Sequence, residues 1–266
     1  MRTSKTPHAT YDKPCKPYGE SVPLPPPHST GRLDAPVNSN VTAMISAPLA
    51  EFDGQLLDGL YFCSRVYTLF EAIRNLPEGR SRLRLRPTRV EKKLLEELLP
   101  IAKFIQANYR PGRYIGVRWK DGNQNHDAEL HQDGAYVTKG YYTATAFLEV
   151  VSAVHPKDHL SRELLDTEGG TFGLDGIRRL KSGKLVSEPV GYSSRNFIPK
   201  FSEILLKQLR AKAAKVYPPD TSLIVQATLN LPYMPDEWLD LIAMVQASLP
   251  RCNFREIYVL GLTQTP

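Results

Sequence analysis

Carboxylates are the side chains whose spacing first points to chemistry in this 266-residue sequence. Asp127, Glu129 and Glu149 lie between Gly112 and His155, where polar residues alternate with β-branched and aromatic ones as they do in strands. Because side chains along a strand point to alternate faces, Asp127 and Glu129 share a face. An ionised carboxylate inside a sheet is costly unless it is paired or binds a metal. The three side chains therefore predict a divalent-cation site where their strands converge.

Phosphodiester hydrolysis is the chemistry that such a site suggests. Ligand sets made of carboxylate oxygens suit Mg²⁺ or Mn²⁺, and such an ion polarises a phosphate and lowers the pKa of bound water. Each carboxylate also has a structural interpretation. Asp127 could end a turn, Glu129 could face solvent, and Glu149, within Ala-Phe-Leu-Glu-Val-Val, could pair with a buried arginine.

Histidines offer a second possible metal site. On a helix, His155 and His159 would share one face and supply half of a zinc or manganese site. Pro156 disfavours helical backbone at His155, so surface or capping histidines are the alternative, and either one could also act as an auxiliary acid or base. The phosphate-binding patterns GxxxxGK[ST] and GxGxxG are absent, and Ser152 lies in no nucleophile elbow.

Three consecutive strands must position the carboxylates: Arg113–Lys120, His126–Gln132 and Thr143–Val154. An amphipathic helix, Val90–Tyr109, precedes them. The other predicted elements are a helix over 51–75, an extended basic arm over 80–89, a short helix after residue 156, a hairpin over 171–192, a helix over 197–216, a strand over 221–229, a helix over 236–249 and a strand over 255–262. This order predicts an α/β fold with a mixed central sheet.

Composition divides the chain into three segments: 1–50, 51–89 and 90–266. The first holds nine prolines and almost no apolar periodicity, which predicts a disordered, Pro-rich tail that is either solvated or docks a protein partner. The second is read as a helix and a basic arm, and the third as the α/β domain. The first twenty residues lack the apolar core of a signal peptide, no apolar run is long enough to span a bilayer, and the three cysteines are widely spaced. These features predict a cytoplasmic protein without a membrane partner.

The element order resembles the restriction-endonuclease-like, or PD-(D/E)xK, nuclease superfamily, because Asp127 comes early in the second strand and Glu149 lies within the third. The resemblance covers roughly residues 90–230. It implies a helix–strand–strand–strand–helix–strand core in which Asp127 and Glu149 bind Mg²⁺, with Glu129 as a possible third carboxylate.

A lysine two residues after the motif's glutamate orients or activates the attacking water in that superfamily. Here Val151 occupies that position, and His126 stands where the motif has proline. The resemblance therefore implies either a degenerate site or a lysine supplied by another element, because only the position of the ammonium near the water matters. The candidates are Lys139, Lys157 and Lys200.

Basic segments outside the motif suggest a polyanionic partner, since the formal net charge is +6. The predicted phosphate contacts are Arg82, Arg84, Arg86, Arg178, Arg179 and Lys184. A solvated, charged edge is the alternative for the arm. The sequence thus predicts a Mg²⁺- or Mn²⁺-dependent endonuclease that acts on DNA, in a mobile-element or defence context. The alternative is a catalytically degenerate module of the same fold that binds or scaffolds within a larger assembly.

Overall fold

The computed structural model describes residues 48–191, 193–227 and 235–261, with only the backbone at positions 194 and 195. The predicted Pro-rich tail, 1–50, lies almost wholly outside the described residues. Within them, no helix combines the length and the apolar character needed to cross a membrane.

A mixed sheet of six strands forms the centre of the fold, in the order β1-β2-β3-β4-β7-β8. The strands are β1 (Leu56–Asp58), β2 (Tyr114–Trp119), β3 (Ala128–Asp133), β4 (Thr145–Ala153), β7 (Thr221–Ala227) and β8 (Ile257–Gly261). Neighbours from β1 to β4 pair antiparallel, whereas β7 runs parallel to β4 and β8 parallel to β7. The hairpin β5 (Ile177–Arg179) and β6 (Leu185–Ser187) forms a separate two-stranded sheet. The predicted α/β fold with a mixed sheet is confirmed.

Helices flank the sheet on both faces. They are α1 (Gly59–Arg74), α2 (Gly79–Leu85), α3 (Arg89–Lys93), α4 (Leu99–Asn108), α5 (Ala135–Thr138), α6 (Asp158–Thr167), α7 (Ser194–Ala213) and α8 (Pro235–Ala247). A π-helical turn, Leu94–Leu98, joins α3 to α4, and a 3₁₀ turn, Leu174–Gly176, precedes β5.

Among the described residues, an apolar core lies on each face of the central sheet, and a small third cluster joins α6 to the β5–β6 hairpin. On one face of the sheet, α1, the π-helical turn and α4 pack against alternate residues of β2, β3 and β4, such as Val117, Leu130 and Leu148. On the other face, α7 and α8 pack against β4, β7 and β8, where Val151 and Val225 lie. β7 is buried along its whole length, as its continuous apolar sequence predicts for a strand covered on both faces.

The basic arm is the main difference from the predicted elements, since residues 79–85 form the helix α2 and not an extended strand. Leu83 packs against the first core, and the arginines beside it meet carboxylates of neighbouring helices. An alternating Arg-Leu pattern suits a strand, but over seven residues tertiary partners outweigh that preference. The N-terminal helix also begins later than predicted, because Asp58 ends β1 and caps the helix, accepting hydrogen bonds from the N–H groups of Leu60 and Tyr61.

Candidate active site

The strands β3 and β4 separate at the point where the predicted acidic residues lie. Their pairing ends at Ala128 and Leu148, after which β4 continues beside β7 as far as Ala153. Asp127 stands at this separation, and its N–H donates to the Leu148 carbonyl at 2.8 Å. Its carboxylate Oδ2 accepts from the Val150 N–H at 2.7 Å. Asp127 therefore brackets Glu149 by bonding to the residues on both sides of it.

Glu149 is buried, with 7% of its surface exposed, and projects to the α7 face of the sheet. Lys212, in the last turn of α7, donates from its ammonium to Glu149 Oε1, and the Tyr217 hydroxyl lies 3.5 Å from the same oxygen. Val151, two residues along the strand, shares this face and packs into the second core. The buried pair of Glu149 is thus a lysine and not the arginine that the sequence suggested as an alternative.

Burial raises the pKa of Asp127 to about 7, and the negative charges of Glu97 and Glu149 act in the same direction. The Val150 N–H and Lys212 oppose this rise but do not offset it. A carboxyl with such a pKa lies in a site with excess negative charge. A bound cation would relieve that excess by favouring the ionised form.

Glu97 belongs to this site, although the sequence analysis did not identify it. It lies in the π-helical turn, where its Oε2 accepts from the Trp119 indole N–H at 3.2 Å and its Oε1 from Lys93 Nζ at 2.6 Å. Such turns recur at functional sites because they change the direction of a side chain within a helix. The sequence signal is Pro100, which follows the Glu96-Glu97 pair inside an otherwise regular helical pattern.

Glu129 lies within β3, whereas Asp127 precedes the strand, and cations hold the Glu129 carboxylate. Lys120 and Arg118 both donate to it, the latter at 2.9 Å, and the hydrogen bond from Lys120 is the main cause of its lowered pKa. His126 and His131 lie 3.7 and 3.9 Å from its oxygens. Glu129 therefore organises a basic cluster beside the candidate site.

The three lysines proposed to replace the motif lysine lie elsewhere. Lys139 is exposed just after α5. Lys157 donates to the Asp175 carbonyl at 2.7 Å, and Lys200 to the Asp175 carboxylate at 2.6 Å. The ammonium that reaches Glu149 comes from Lys212, because the far end of α7 crosses the sheet there.

His155 and His159 do not share a helical face, because α6 begins at Asp158, after Pro156. His155 Nε2 instead lies 3.1 Å from Asp175 Oδ1. The interpretation of the two residues as half of a metal site on one helix face is therefore wrong, for the reason that the proline supplies.

All five of the predicted phosphate-binding arginines have carboxylate partners within the chain. The pairs are Arg82 with Glu91, Arg84 with Asp166, Arg86 with Glu96, Arg178 with Glu188 and Arg179 with Glu163. Lys184 is exposed at the turn of the β5–β6 hairpin. Phosphate contact by these residues remains a prediction, but the pairs in α2 also give its arginines a structural role.

The candidate metal ligands are Asp127 and Glu149, and the charge of Glu97 also acts on Asp127. Across the described ranges, no three side chains of histidine, cysteine, aspartate or glutamate group closely enough to hold a metal on their own. Carboxylate oxygens fit Mg²⁺ or Mn²⁺, which keep several waters and need only one or two protein carboxylates. Comparisons of the chain with protein-family models, with curated proteins and with solved structures found no match.

Proposed function

We propose that this chain is a metal-dependent nuclease that hydrolyses phosphodiester bonds, with DNA as the expected substrate. One observation carries the proposal: where β3 and β4 separate, the Asp127 carboxylate bonds to the N–H next to Glu149 and feels the charge of Glu149, to which the Lys212 ammonium donates. A carboxylate pair with an adjacent ammonium is the set of groups that the PD-(D/E)xK resemblance implies, drawn here from three different elements.

The order and direction of the strands support the same proposal. Apart from α5 and the segment from α6 to β6, the order is one helical segment, three antiparallel strands, the helix α7 and the parallel strand β7, which is the order that the restriction-endonuclease-like core implies. Val151 cannot perform the role of the motif's lysine. Lys212 can do so from α7, because the attacking water responds to the position of an ammonium and not to the strand that carries it.

Each residue then has a distinct part. Asp127 and Glu149 would hold the ion, which when bound polarises the phosphate and lowers the pKa of its water. Lys212 neutralises charge beside Glu149 and can hold a water or a phosphate oxygen through its three N–H donors. Glu97, held by Trp119 and Lys93, adds negative charge near Asp127 and so favours cation binding.

A degenerate module that binds without cutting is the second candidate. The observation that favours it is the ion pair itself, because the Lys212 ammonium bonds to the oxygen of Glu149 that a metal ion would need. In that case the ammonium replaces the cation, and the pair stabilises the fold in place of a metal centre.

Titration calorimetry with Mg²⁺ and Mn²⁺, beside a plasmid-cleavage assay, separates the two candidates. We expect the parent to bind metal and cut, Glu149→Gln to do neither, and Lys212→Met to bind metal but cut at least 100-fold more slowly. Lys207→Met is the matched control, since Lys207 is exposed on the same helix, and it should cut like the parent. A parent that neither binds metal nor cuts would leave the binding module as the better description.

A further inference from the structure

One half of the α7 face of the sheet has no helix over it among the described residues. The helices α7 and α8 pack on β4, β7 and β8, and no residue of β1–β3 belongs to that core. The side chains that β1–β3 present on this face include Leu56, Tyr114, Arg118 and His131, and Lys120 follows directly after β2. We refer to these five residues as the open face. Leu56 and Tyr114 are 49% and 50% exposed.

The strand register places the open face directly beside the candidate site. Arg118, Glu129 and Phe147 lie opposite one another on β2, β3 and β4. Two residues further along, the Lys120 N–H donates to the Asp127 carbonyl at 3.0 Å, and the Asp127 N–H donates to the carbonyl of Leu148, the residue before Glu149. Because alternate residues of a strand are about 7 Å apart, the two rows are separated by roughly the axial length of two phosphates of one nucleic-acid strand.

The charges of this face suit a polyanion. The Arg118 and Lys120 side chains are 34% and 35% exposed, and both bond to Glu129, which is 16% exposed beneath them. Two cations against one carboxylate leave a net positive charge. A guanidinium has five N–H donors and an ammonium three, more than one carboxylate can accept, so both groups can donate to a phosphate while Glu129 holds them.

We propose that the open face binds the sugar–phosphate backbone of a nucleic acid, with Arg118 and Lys120 as phosphate contacts and Glu129 as the positioning residue that holds both. The inference rests on the proposed function in one respect, which is that the bound strand continues to the phosphate at Asp127 and Glu149. Leu56 lies opposite Arg118, and exposed Tyr114, four residues before Arg118 on β2, supplies an aromatic ring on which a base can stack.

The test measures DNA binding without any cleavage. Fluorescence anisotropy in EDTA follows the binding of a labelled 20-nucleotide single strand and of a 20-base-pair duplex at several salt concentrations. We expect Arg118→Gln/Lys120→Gln to raise the Kd at least 10-fold. We also expect it to reduce the slope of log K against log salt by roughly 1.4 for the single strand or 1.8 for the duplex, which corresponds to two lost phosphate contacts.

The matched control removes the same charge elsewhere. Arg74 on α1 is also paired with a glutamate and Lys92 on α3 is exposed, so Arg74→Gln/Lys92→Gln should leave the Kd within twofold of the parent. In the test variant Glu129 has lost both of its cations, and this unpaired charge could disturb the fold. A triple variant that also carries Glu129→Gln removes the charge, and it should bind DNA as weakly as the double variant. Equal losses in test and control, or no loss in the test variant, would overturn the inference.

Cleavage by the same proteins keeps the two proposals apart. If the parent binds DNA through Arg118 and Lys120 but never cuts it with Mg²⁺ or Mn²⁺, the proposed interface is supported and the proposed nuclease activity is rejected. If the parent cuts DNA and Arg118→Gln/Lys120→Gln binds and cuts it equally well, the proposed nuclease activity is supported and the proposed interface is rejected.

Discussion

Asp127 shows how one residue can report on the whole candidate site. It is the only carboxylate described here whose pKa rises to about 7, and the causes are burial first and the charges of Glu97 and Glu149 second. Its hydrogen bond from the Val150 N–H keeps it in place in either protonation state. A group held in this way binds a proton when metal is absent, and a divalent cation competes for the same position.

In EDTA, the titration of Asp127 should therefore make the free energy of unfolding depend on pH. The folded pKa, about 7, exceeds the ordinary value of 3.8, so between these values the native state holds more protons and its stability falls as pH rises. Asp127→Asn removes this dependence. Since one pKa unit is worth about 1.4 kcal/mol, the free energy of unfolding of the parent should fall by roughly 3–4 kcal/mol relative to that of the variant between pH 4 and pH 8.

Urea unfolding at each pH measures that difference. Mg²⁺ or Mn²⁺ at pH 8 should restore stability to the parent and not to Asp127→Asn, because only the parent offers the ion an ionised carboxylate. If the two proteins keep a constant difference from pH 4 to pH 8, Asp127 does not titrate near neutrality and the site lacks the proposed excess of negative charge.

The π-helical turn is the element that places Glu97, and its cause is local. The Leu99 N–H bonds to the Leu94 carbonyl, five residues earlier, and Pro100 has no N–H, so the Leu95 carbonyl lacks both of its helical donors. Gln226 of β7, itself buried, donates from Nε2 to that carbonyl at 2.8 Å. A polar residue in an otherwise apolar buried strand thus completes the turn that carries Glu97.

Replacing Gln226 should lower the free energy of unfolding, and the size of the loss should depend on whether residue 100 is proline. Gln226→Leu leaves a buried carbonyl without a donor, and we expect it to lower the free energy of unfolding by about 1–3 kcal/mol. In a Pro100→Ala background the residue regains an N–H that can reach the carbonyl, so the loss should shrink. Urea unfolding of the two single variants and the double variant gives the coupling energy, and a coupling near zero would contradict this account.

Strand positions were predictable from the sequence because they depend on local pattern. The predicted strand over Arg113–Lys120 became β2, and the one over Thr143–Val154 became β4, each within two residues. The sharing of a face by Glu149 and Val151 follows from the period of two. Three-residue β1 was not predictable, because such a short strand has no periodicity to detect.

Long-range pairings explain the remaining differences. Lys212 is 63 residues from Glu149 in the chain, and only the packing of α7 across the sheet decides which of its lysines reaches the carboxylate. The same reasoning applies to Arg82 and Arg84 of α2 and to Arg86, which directly follows it, because their partners Glu91, Asp166 and Glu96 belong to separate helical segments. No spacing rule connects such residues before the fold is known.

These three arginines act at the scale of the whole molecule, because they join α2 and its C-terminal cap to α3, the π-helical turn and α6. Glu91 is fully buried and also forms the capping box of α3 with Thr88. The loss of Arg82 leaves that charge with fewer partners, and we expect Arg82→Ser to lower the free energy of unfolding by about 1–3 kcal/mol. Arg178→Ser, whose pair is largely exposed, should cost under about 1 kcal/mol. Equal effects in urea unfolding would remove the structural role of Arg82.

The boundary of the folded unit provides the last prediction. Among the described residues, packing into the first core begins with Leu49 and Phe52, and Phe52 is fully buried against Phe62 with ring centroids 5.7 Å apart. The sequence before residue 48 lacks the apolar pattern that a core requires. Deleting residues 1–47 should therefore change the melting temperature by less than about 2 °C, which corresponds to under roughly 1 kcal/mol. Adding Phe52→Ala to that deletion removes a core aromatic ring, which costs about 3–5 kcal/mol, and should lower the melting temperature by roughly 10 °C. A fall of that size on deletion alone would show that residues 1–47 contribute to the stability of the core.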